Sequence, residues 1–235
     1  MLQQTQVARV VPAYRAFLKR FPTVRALARA SLADVLREWS GLGYNRRARD
    51  LHRAAKQSDG TLPMDVAGLD ALPGVGAYTA GAVACFAHGE RVPFADTNVR
   101  RVLGRVVLGR VATEREAVAM DAELMPRDAA SWHHALMDLG ATICVARTPR
   151  CDACPLASDC RGRGRLARHV PRRQPSFATS DRKVRGAIVA VLRERDMSVA
   201  ALESALDDTR VPRLVTALMA EGLIERRGAV VSLPA

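Results

Sequence analysis

Five cysteines occur in the chain, and four of them crowd into one stretch, CVARTPRCDACPLASDC. Cys144, Cys151, Cys154 and Cys160 are separated by six, two and five residues, which leaves only Cys85 elsewhere. Four thiols this close in sequence must either pair or hold a metal centre, and a reducing cytosol works against pairing. Structural zinc normally uses two short-spaced pairs. One compact loop with a single C-x-x-C suits a cubic iron–sulfur cluster, so a [4Fe-4S] cluster is the expectation and zinc the alternative. Cys85, on the apolar run GAVACFAHG, reads as a small core residue.

A second candidate is LPGVGAYTAG. Gly74 and Gly76 permit a tight turn between two helices, with Val75 between them, so that backbone N–H groups and the following helix N-terminus can face a phosphate oxygen. By itself such a turn is often only a helix connection. Beside a basic chain and a cysteine loop it reads as a helix-hairpin-helix DNA clamp. About twenty residues later, VPFADTNVRRVLGR sets Asp96 between an apolar segment and a helix. The helix could be capped by Thr97 or Asn98, or Asp96 could itself be no more than the cap.

These residues need elements to position them. Ala, Leu, Val and Arg recur at helical spacing while aromatics make up 4% of the chain, which favours an all-α fold. In QVARVVPAYRAFLKR a stripe of Val7, Val10, Val11, Tyr14 and Leu18 predicts an amphipathic helix with Thr5 as its cap, kinked or delayed by Pro12. TVRALARA and SLADVLREWS predict two short helices, the second capped by Ser31 with Asp34 three residues on. Helices are expected on both sides of the glycine turn and through a longer region from about Glu114 to Gly140. The stretch from Arg161 to Arg185 holds nine Lys/Arg, one acid and two prolines, the composition of a basic linker. Beyond it, three helical patterns and a hairpin turning near Gly228 predict a small winged-helix-like module.

With 36 Lys+Arg against 24 Asp+Glu, the formal charge is +12, which suits a polyanionic partner. Only three of the basic residues are lysines (Lys19, Lys56 and Lys183), so a coding bias toward arginine is the competing explanation. No run of about 18 apolar residues and no secretory leader pattern occurs, so the default location is the cytoplasm, with no membrane partner.

Taken in order, LQQTQV, GLGYNRRAR, LPGVGAYTAG, DTNVRRV, MDLGATIC and the C-x6-C-x2-C-x5-C loop resemble the helix-hairpin-helix base-excision DNA glycosylase superfamily, and within it the adenine DNA glycosylases of the MutY type. The resemblance spans roughly residues 1–165. It implies a six-helix barrel over 1–103, an iron–sulfur cluster domain over 104–165, a linker over 166–180 and the winged-helix-like module over 181–235. It also implies a monomeric bacterial enzyme, associated with the nucleoid, that flips adenine out of duplex DNA carrying A:8-oxoguanine or A:G mispairs. By the same match, Asp96 would stabilise the positively charged sugar, Tyr78 would face the adenine and Asn98 would lie near the sugar. Gln4, Thr5, Leu42 and Tyr44 resemble residues that wedge into the duplex and touch the orphaned base; as alternatives, Leu42 and Tyr44 could be core side chains and Gln4 and Thr5 a cap.

Position 78 separates two enzyme classes. Relatives resembling endonuclease III carry a lysine there, whose amine forms a Schiff base and permits strand cleavage. Tyr78 has no amine, so a monofunctional glycosylase is expected. Three departures from the family pattern stand out. Asn45 replaces a second tyrosine, and the family's C-terminal domain similar to nucleotide hydrolases is replaced by the short 181–235 segment. The general-acid glutamate of the pattern would fall two positions before Met1, so Met1 reads as a misassigned or artificial start. The alternative is a chain that binds DNA through a cluster-braced clamp without cutting.

Overall fold

A computed structural model describes residues 1–3, 5–164 and 176–235. Its elements, in chain order, are α1 (Val7–Arg20), α2 (Val24–Arg29), α3 (Leu32–Glu38), α4 (Arg46–Gln57), α5 (Val66–Asp70), α6 (Ala77–His88), α7 (Thr97–Leu103), α8 (Glu114–Leu124) and α9 (Ala129–Thr142). They are followed by α10 (Asp181–Glu194), β1 (Met197–Ser198), α11 (Val199–Leu206), α12 (Val211–Ala220), β2 (Glu225–Arg227) and β3 (Val230–Ser232). The chain is thus predominantly helical, as its composition implies. Among the described residues no helix is long and apolar enough to cross a membrane. Of the expected linker over 166–180, residues up to 175 lie outside the described set, as does Gln4.

Two compact units emerge. The first joins residues 1–62 and 72–74 to the C-terminal segment ending at Ala235. One continuous core runs through it, from Phe17, Leu36 and Trp39 to Ile188, Leu214 and Val231. Phe17 anchors it edge-on to Phe21 at 4.9 Å and to Trp39 at 6.0 Å. That aromatic anchor sets the rotation of α1. Val10 and Phe17 turn inward, while Val7, Val11, Tyr14 and Leu18 stay exposed, so most of the stripe expected to be buried faces out. The helix starts at Val7 and runs through Pro12, and Thr5 does not cap it. The Thr5 hydroxyl is engaged elsewhere, donating to the Leu42 carbonyl at 3.3 Å and accepting from Arg47 at 3.0 Å. Ser31 does cap α3, accepting from the Asp34 N–H at 3.0 Å.

The C-terminal part of this unit follows the order helix, strand, two helices, hairpin. The hairpin turns at Gly228, and the two-residue β1, which alternation could not reveal, pairs with β3 to give the sheet order β1-β3-β2.

The second unit comprises residues 63–71 and the chain from Val75 through the cysteine loop. The helical region expected from Glu114 to Gly140 is two helices. α8 stops at Leu124 before Met125 and Pro126, and Asp128 caps α9 by accepting from the Ser131 N–H at 3.0 Å. Proline cannot continue a helix and a free aspartate oxygen can start one, so the break is written locally. α7 continues into a wider π-type turn over Gly104–Leu108, which aims Arg105 inward.

Candidate functional site

Asp96 begins α7. Its Oδ1 accepts from the Asn98 N–H at 2.8 Å and the Val99 N–H at 2.7 Å, and its Oδ2 accepts from Asn98 Nδ2 at 3.0 Å. It is therefore the N-cap, a role open to any aspartate. The rest of its surroundings is more specific. Asp96 is half-buried, and the Tyr78 phenol is close enough to feel its charge: burial first, and Asp96 second, push that phenol above its ordinary value. Tyr78 therefore stays a neutral hydroxyl at pH 7, and its ring packs edge-on to Phe94 at 5.7 Å. Asp96, Tyr78 and Asn98 are brought together within one unit.

The backbone entering this site is held by the buried Asp121 and His133 together with the half-buried Trp132, none of which the sequence reading singled out. Asp121 and His133 are fully buried. Asp121 Oδ2 accepts from the Phe94 N–H at 3.0 Å and meets His133 Nε2 at 2.8 Å, while Oδ1 accepts from Trp132 Nε1 at 2.6 Å. The His133 ring stacks on Phe94 with centroids 3.8 Å apart, and its Nδ1 lies 2.8 Å from the Ala129 carbonyl. Cys85 is buried against this group, its sulfur 3.7 Å from His133 Nδ1, and burial pushes its thiol up.

On the far side of Asp96, Arg101 ties the helix to the cysteine loop. Its Nη2 donates to Asn98 Oδ1 and to the Gly140 carbonyl, each at 2.7 Å, and its Nε donates to the Cys144 carbonyl at 2.7 Å. Gly140 allows this approach, since a Cβ there would stand 2.6 Å from that of Asn98. Arg105 lies 1% exposed under the same loop, donating to Val145 O at 2.8 Å, Ala146 O at 2.9 Å and the Cys144 sulfur at 3.4 Å.

The four loop cysteines line one pocket, walled by Val102, Val106, Leu139 and Ile143. Burial first, and then the neighbouring Cys160, Cys144 and Cys154, push the Cys151 thiol up. Four sulfurs facing one pocket are a donor set that a [4Fe-4S] cluster takes, one thiolate to each iron.

The predicted DNA-contacting residues fall into two groups. Thr5, Leu42 and Tyr44 meet in the first unit through Arg47, whose guanidinium donates to the carbonyls of Met1, Gln3 and Leu42 and to the Thr5 hydroxyl. Leu42 is buried at 4% exposure, whereas Tyr44 is 43% exposed. Gln4 lies outside the described residues. In the glycine turn, Gly74 has φ +76°, and a Cβ on it would stand 2.5 Å from that of Asp50. Val75 follows, and Gly76 precedes α6 in the N-cap position.

Residues 1–127 match the family described as HhH-GPD superfamily base excision DNA repair protein, and residues 144–160 match the iron–sulfur binding domain of endonuclease III. An adenine DNA glycosylase of Mycolicibacterium smegmatis is 45% identical over 96% of this chain and 82% of its own length. That of Mycobacterium tuberculosis is 43% identical over 96% and 80%. A trapped endonuclease III–DNA covalent intermediate superposes with a TM-score of 0.60 at 27% identity, over 68% of this chain and 79% of that one.

Proposed function

The chain belongs to the HhH-GPD superfamily of base excision DNA repair proteins and, within it, to the adenine DNA glycosylases, and from that membership we propose that it excises adenine opposite 8-oxoguanine or guanine in duplex DNA. The observation that carries the reading is the half-buried Asp96 carboxylate, held at a helix start beside Tyr78 and Asn98 and braced toward the cysteine loop through Arg101.

In the hydrolysis the C1′–N9 bond breaks, its electrons leave with the purine, and water adds to C1′ with loss of a proton. Positive charge develops on the sugar, and a fixed carboxylate lowers that barrier. Asp96 is suited to this because two backbone N–H groups and an amide hold its oxygens in place before substrate arrives. Tyr78, neutral at pH 7, can donate a hydrogen bond but cannot form a Schiff base, which supports hydrolysis without strand cleavage. Departure of the purine also needs a proton, and general acids contribute on the order of 10² to 10⁴ in rate. When bound, an iron–sulfur cluster on Cys144, Cys151, Cys154 and Cys160 supplies thiolate–iron bonds that brace the loop. Arg105 and Arg101 fix its backbone from within.

The reading treats the protein as a monomer working on DNA, with residues 1–103 and 104–165 as catalytic parts and with 181–235 sharing the core of the first unit. Its test is single-turnover cleavage of a duplex with A opposite 8-oxoguanine, followed by alkali. The chain should be run as given and extended upstream by a Ser-Glu-containing segment, each with and without Asp96→Asn. Adenine release that Asp96→Asn slows by roughly 10²-fold or more is expected. Duplex binding without release in every form would leave a DNA-binding protein instead.

A further inference from the structure

We infer that the C-terminal segment 181–235 is a brace for the turn that links α3 to α4, with Arg193 as its positioning residue, and that the protein's selectivity among base pairs depends on this brace.

The turn, residues 39–45, is costly to hold. Three of its residues lie in the left-handed region, Gly41 at φ 77°, Gly43 at φ 67° and Tyr44 at φ 48°. Glycine enters that region freely but leaves it as freely, and a residue of the size of Tyr44 stays there only where its surroundings fix it. Part of the hold is local. Arg47 donates to the Leu42 and Gly43 carbonyls at 3.0 and 3.3 Å, and Trp39 Nε1 donates to the Gly43 carbonyl at 3.1 Å.

The remaining hold comes from α10. All three guanidinium nitrogens of Arg193 donate to this stretch: Nε to the Leu36 carbonyl at 2.9 Å, Nη1 to Ser40 Oγ at 3.2 Å and Nη2 to Asn45 Oδ1 at 3.4 Å. One planar fork thereby spans the turn from α3 to the residue before α4. Asn45 occupies the N-cap position of α4 yet makes no side-chain cap, and its oxygen goes to Arg193 instead. Asn45 and the C-terminal segment are two of the places where the chain departs from the family pattern, and the departure in the turn has its partner in the departure at the C-terminus.

The rest of the segment keeps Arg193 in register. Ile188 and Leu192 of α10 are buried in the same core as Leu36 and Trp39. Arg37 Nε donates back to the Arg193 carbonyl at 3.4 Å, and the Ala33 N–H donates to the Pro234 carbonyl at 2.9 Å. Glu221, just after α12, binds Arg46 at the start of α4 through both carboxylate oxygens at 2.7 Å. The segment therefore grips both helices that flank the turn as well as the turn itself.

Selectivity between two duplexes that differ at one base is a difference of two affinities, and a surface free to re-pack accommodates both. A turn fixed before binding preserves the difference. A released turn must be ordered for the pair that needs its fixed form, and the other pair is bound without that cost. This consequence rests on the mispair reading under Proposed function, and the test keeps the two apart.

Amide hydrogen exchange at residues 39–45 is measured in the free protein. Affinity of the whole chain is measured for two duplexes carrying a 2′-fluoro adenine nucleotide that resists cleavage, opposite 8-oxoguanine in one and thymine in the other. Arg193→Ala should speed exchange across the turn and lower the ratio of the two affinities roughly tenfold, the equivalent of about one residue's backbone order restored on binding. Arg193→Lys, which reaches one acceptor in place of three, should recover part of both. A mere loss of stability lowers the folded fraction equally for both duplexes and cancels in the ratio. Should Arg193→Ala not fold, Ser40→Ala combined with Asn45→Ala removes two acceptors from the turn, leaves α10 untouched and should give the same two changes. Exchange at the parent rate, or an affinity ratio equal to the parent's, overturns the inference and leaves the glycosylase reading intact. A parent chain with no preference between the duplexes overturns the mispair reading and with it the link to selectivity, while the exchange rates still decide whether the segment braces the turn.

Discussion

Replacing Asp121 by alanine should destabilise the protein by about 3–5 kcal/mol and slow excision together, although Asp121 is not among the residues expected to touch DNA. The magnitude follows from what the side chain holds. Its two oxygens are fully buried and engage the Phe94 N–H, the Trp132 indole N–H and the His133 ring. Alanine leaves these groups facing a void, and each buried donor left unsatisfied costs about 1–3 kcal/mol. Breaking a buried pair by removing one member costs about 3–5 kcal/mol, which gives the same range. For a chain of 235 residues each kcal/mol lowers Tm by about 2–4 °C, so a fall of roughly 6–20 °C is expected. The control is Asp138→Asn, an exposed position on the same α9 scaffold, where a change within about 0.5 kcal/mol is expected. The assay is urea unfolding followed by circular dichroism, paired with single-turnover rates at a temperature where both forms are folded. An Asp121→Ala protein within 1 kcal/mol of the parent, or one that is destabilised but excises at the parent rate when folded, would refute the claim that this carboxylate anchors the Phe94–Asp96 segment.

Other outcomes follow from the same geometry. Cys151→Ser should abolish the iron content and visible absorption of the purified protein, whereas Cys85→Ser should leave both unchanged, because Cys85 packs against His133 and not into the cysteine pocket. Arg47→Ala should release the Met1–Thr5 stretch from the Leu42–Gly43 turn, detected as faster amide exchange at residues 1–5 and weaker duplex binding. Glu221, hydrogen-bonded first by Arg46 and then by Arg185, has its carboxyl held down from 4.5 to about 2. A depressed carboxyl stabilises the fold above its unfolded value, and that contribution is lost as pH falls toward about 2. The full shift corresponds to about 3 kcal/mol, and solvent screening of the exposed Arg46 reduces it to about 1–2 kcal/mol. Urea titrations at pH 6 and pH 3 should therefore show a stability gap between the parent and Glu221→Gln that is full at the higher pH and roughly halved at the lower one, closing only as pH approaches about 2.

The parts of this architecture written in local chemistry were legible from the sequence. Ser31 starts its helix by accepting from a nearby N–H group, and Asp96 fits either as a cap or as a functional carboxylate because it is a cap in both cases. The cysteine loop was legible because thiol spacing constrains its own geometry. What was hidden depends on tertiary packing. The face that α1 buries is decided by Phe17 meeting Trp39, a contact between residues 22 positions apart, so periodicity alone picked a stripe of which only Val10 is buried. The two residues of β1 are a strand only because β3 lies beside them. Asp121 and His133 carried no signal beyond two polar residues in helical runs, one of them in the pair His133-His134, and only burial makes them a unit.

These hidden contacts account for how a single aspartate can be held still enough for the role proposed for it. Asp96 is fixed from both directions along the chain. Before it, the Phe94 N–H is gripped by Asp121, which is gripped in turn by Trp132 and His133. After it, Asn98 is gripped by Arg101, which reaches Gly140 O and Cys144 O. Trp132, His133 and Gly140 all belong to α9, and Cys144 follows that helix directly. One helix therefore sets both sides of the carboxylate and delivers the first cysteine of the loop. A small rotation of α9 would move all three, so the positioning of Asp96 and the integrity of the cysteine loop should fail together. That coupling is a mechanical consequence of sharing a scaffold and requires no electron to pass between them.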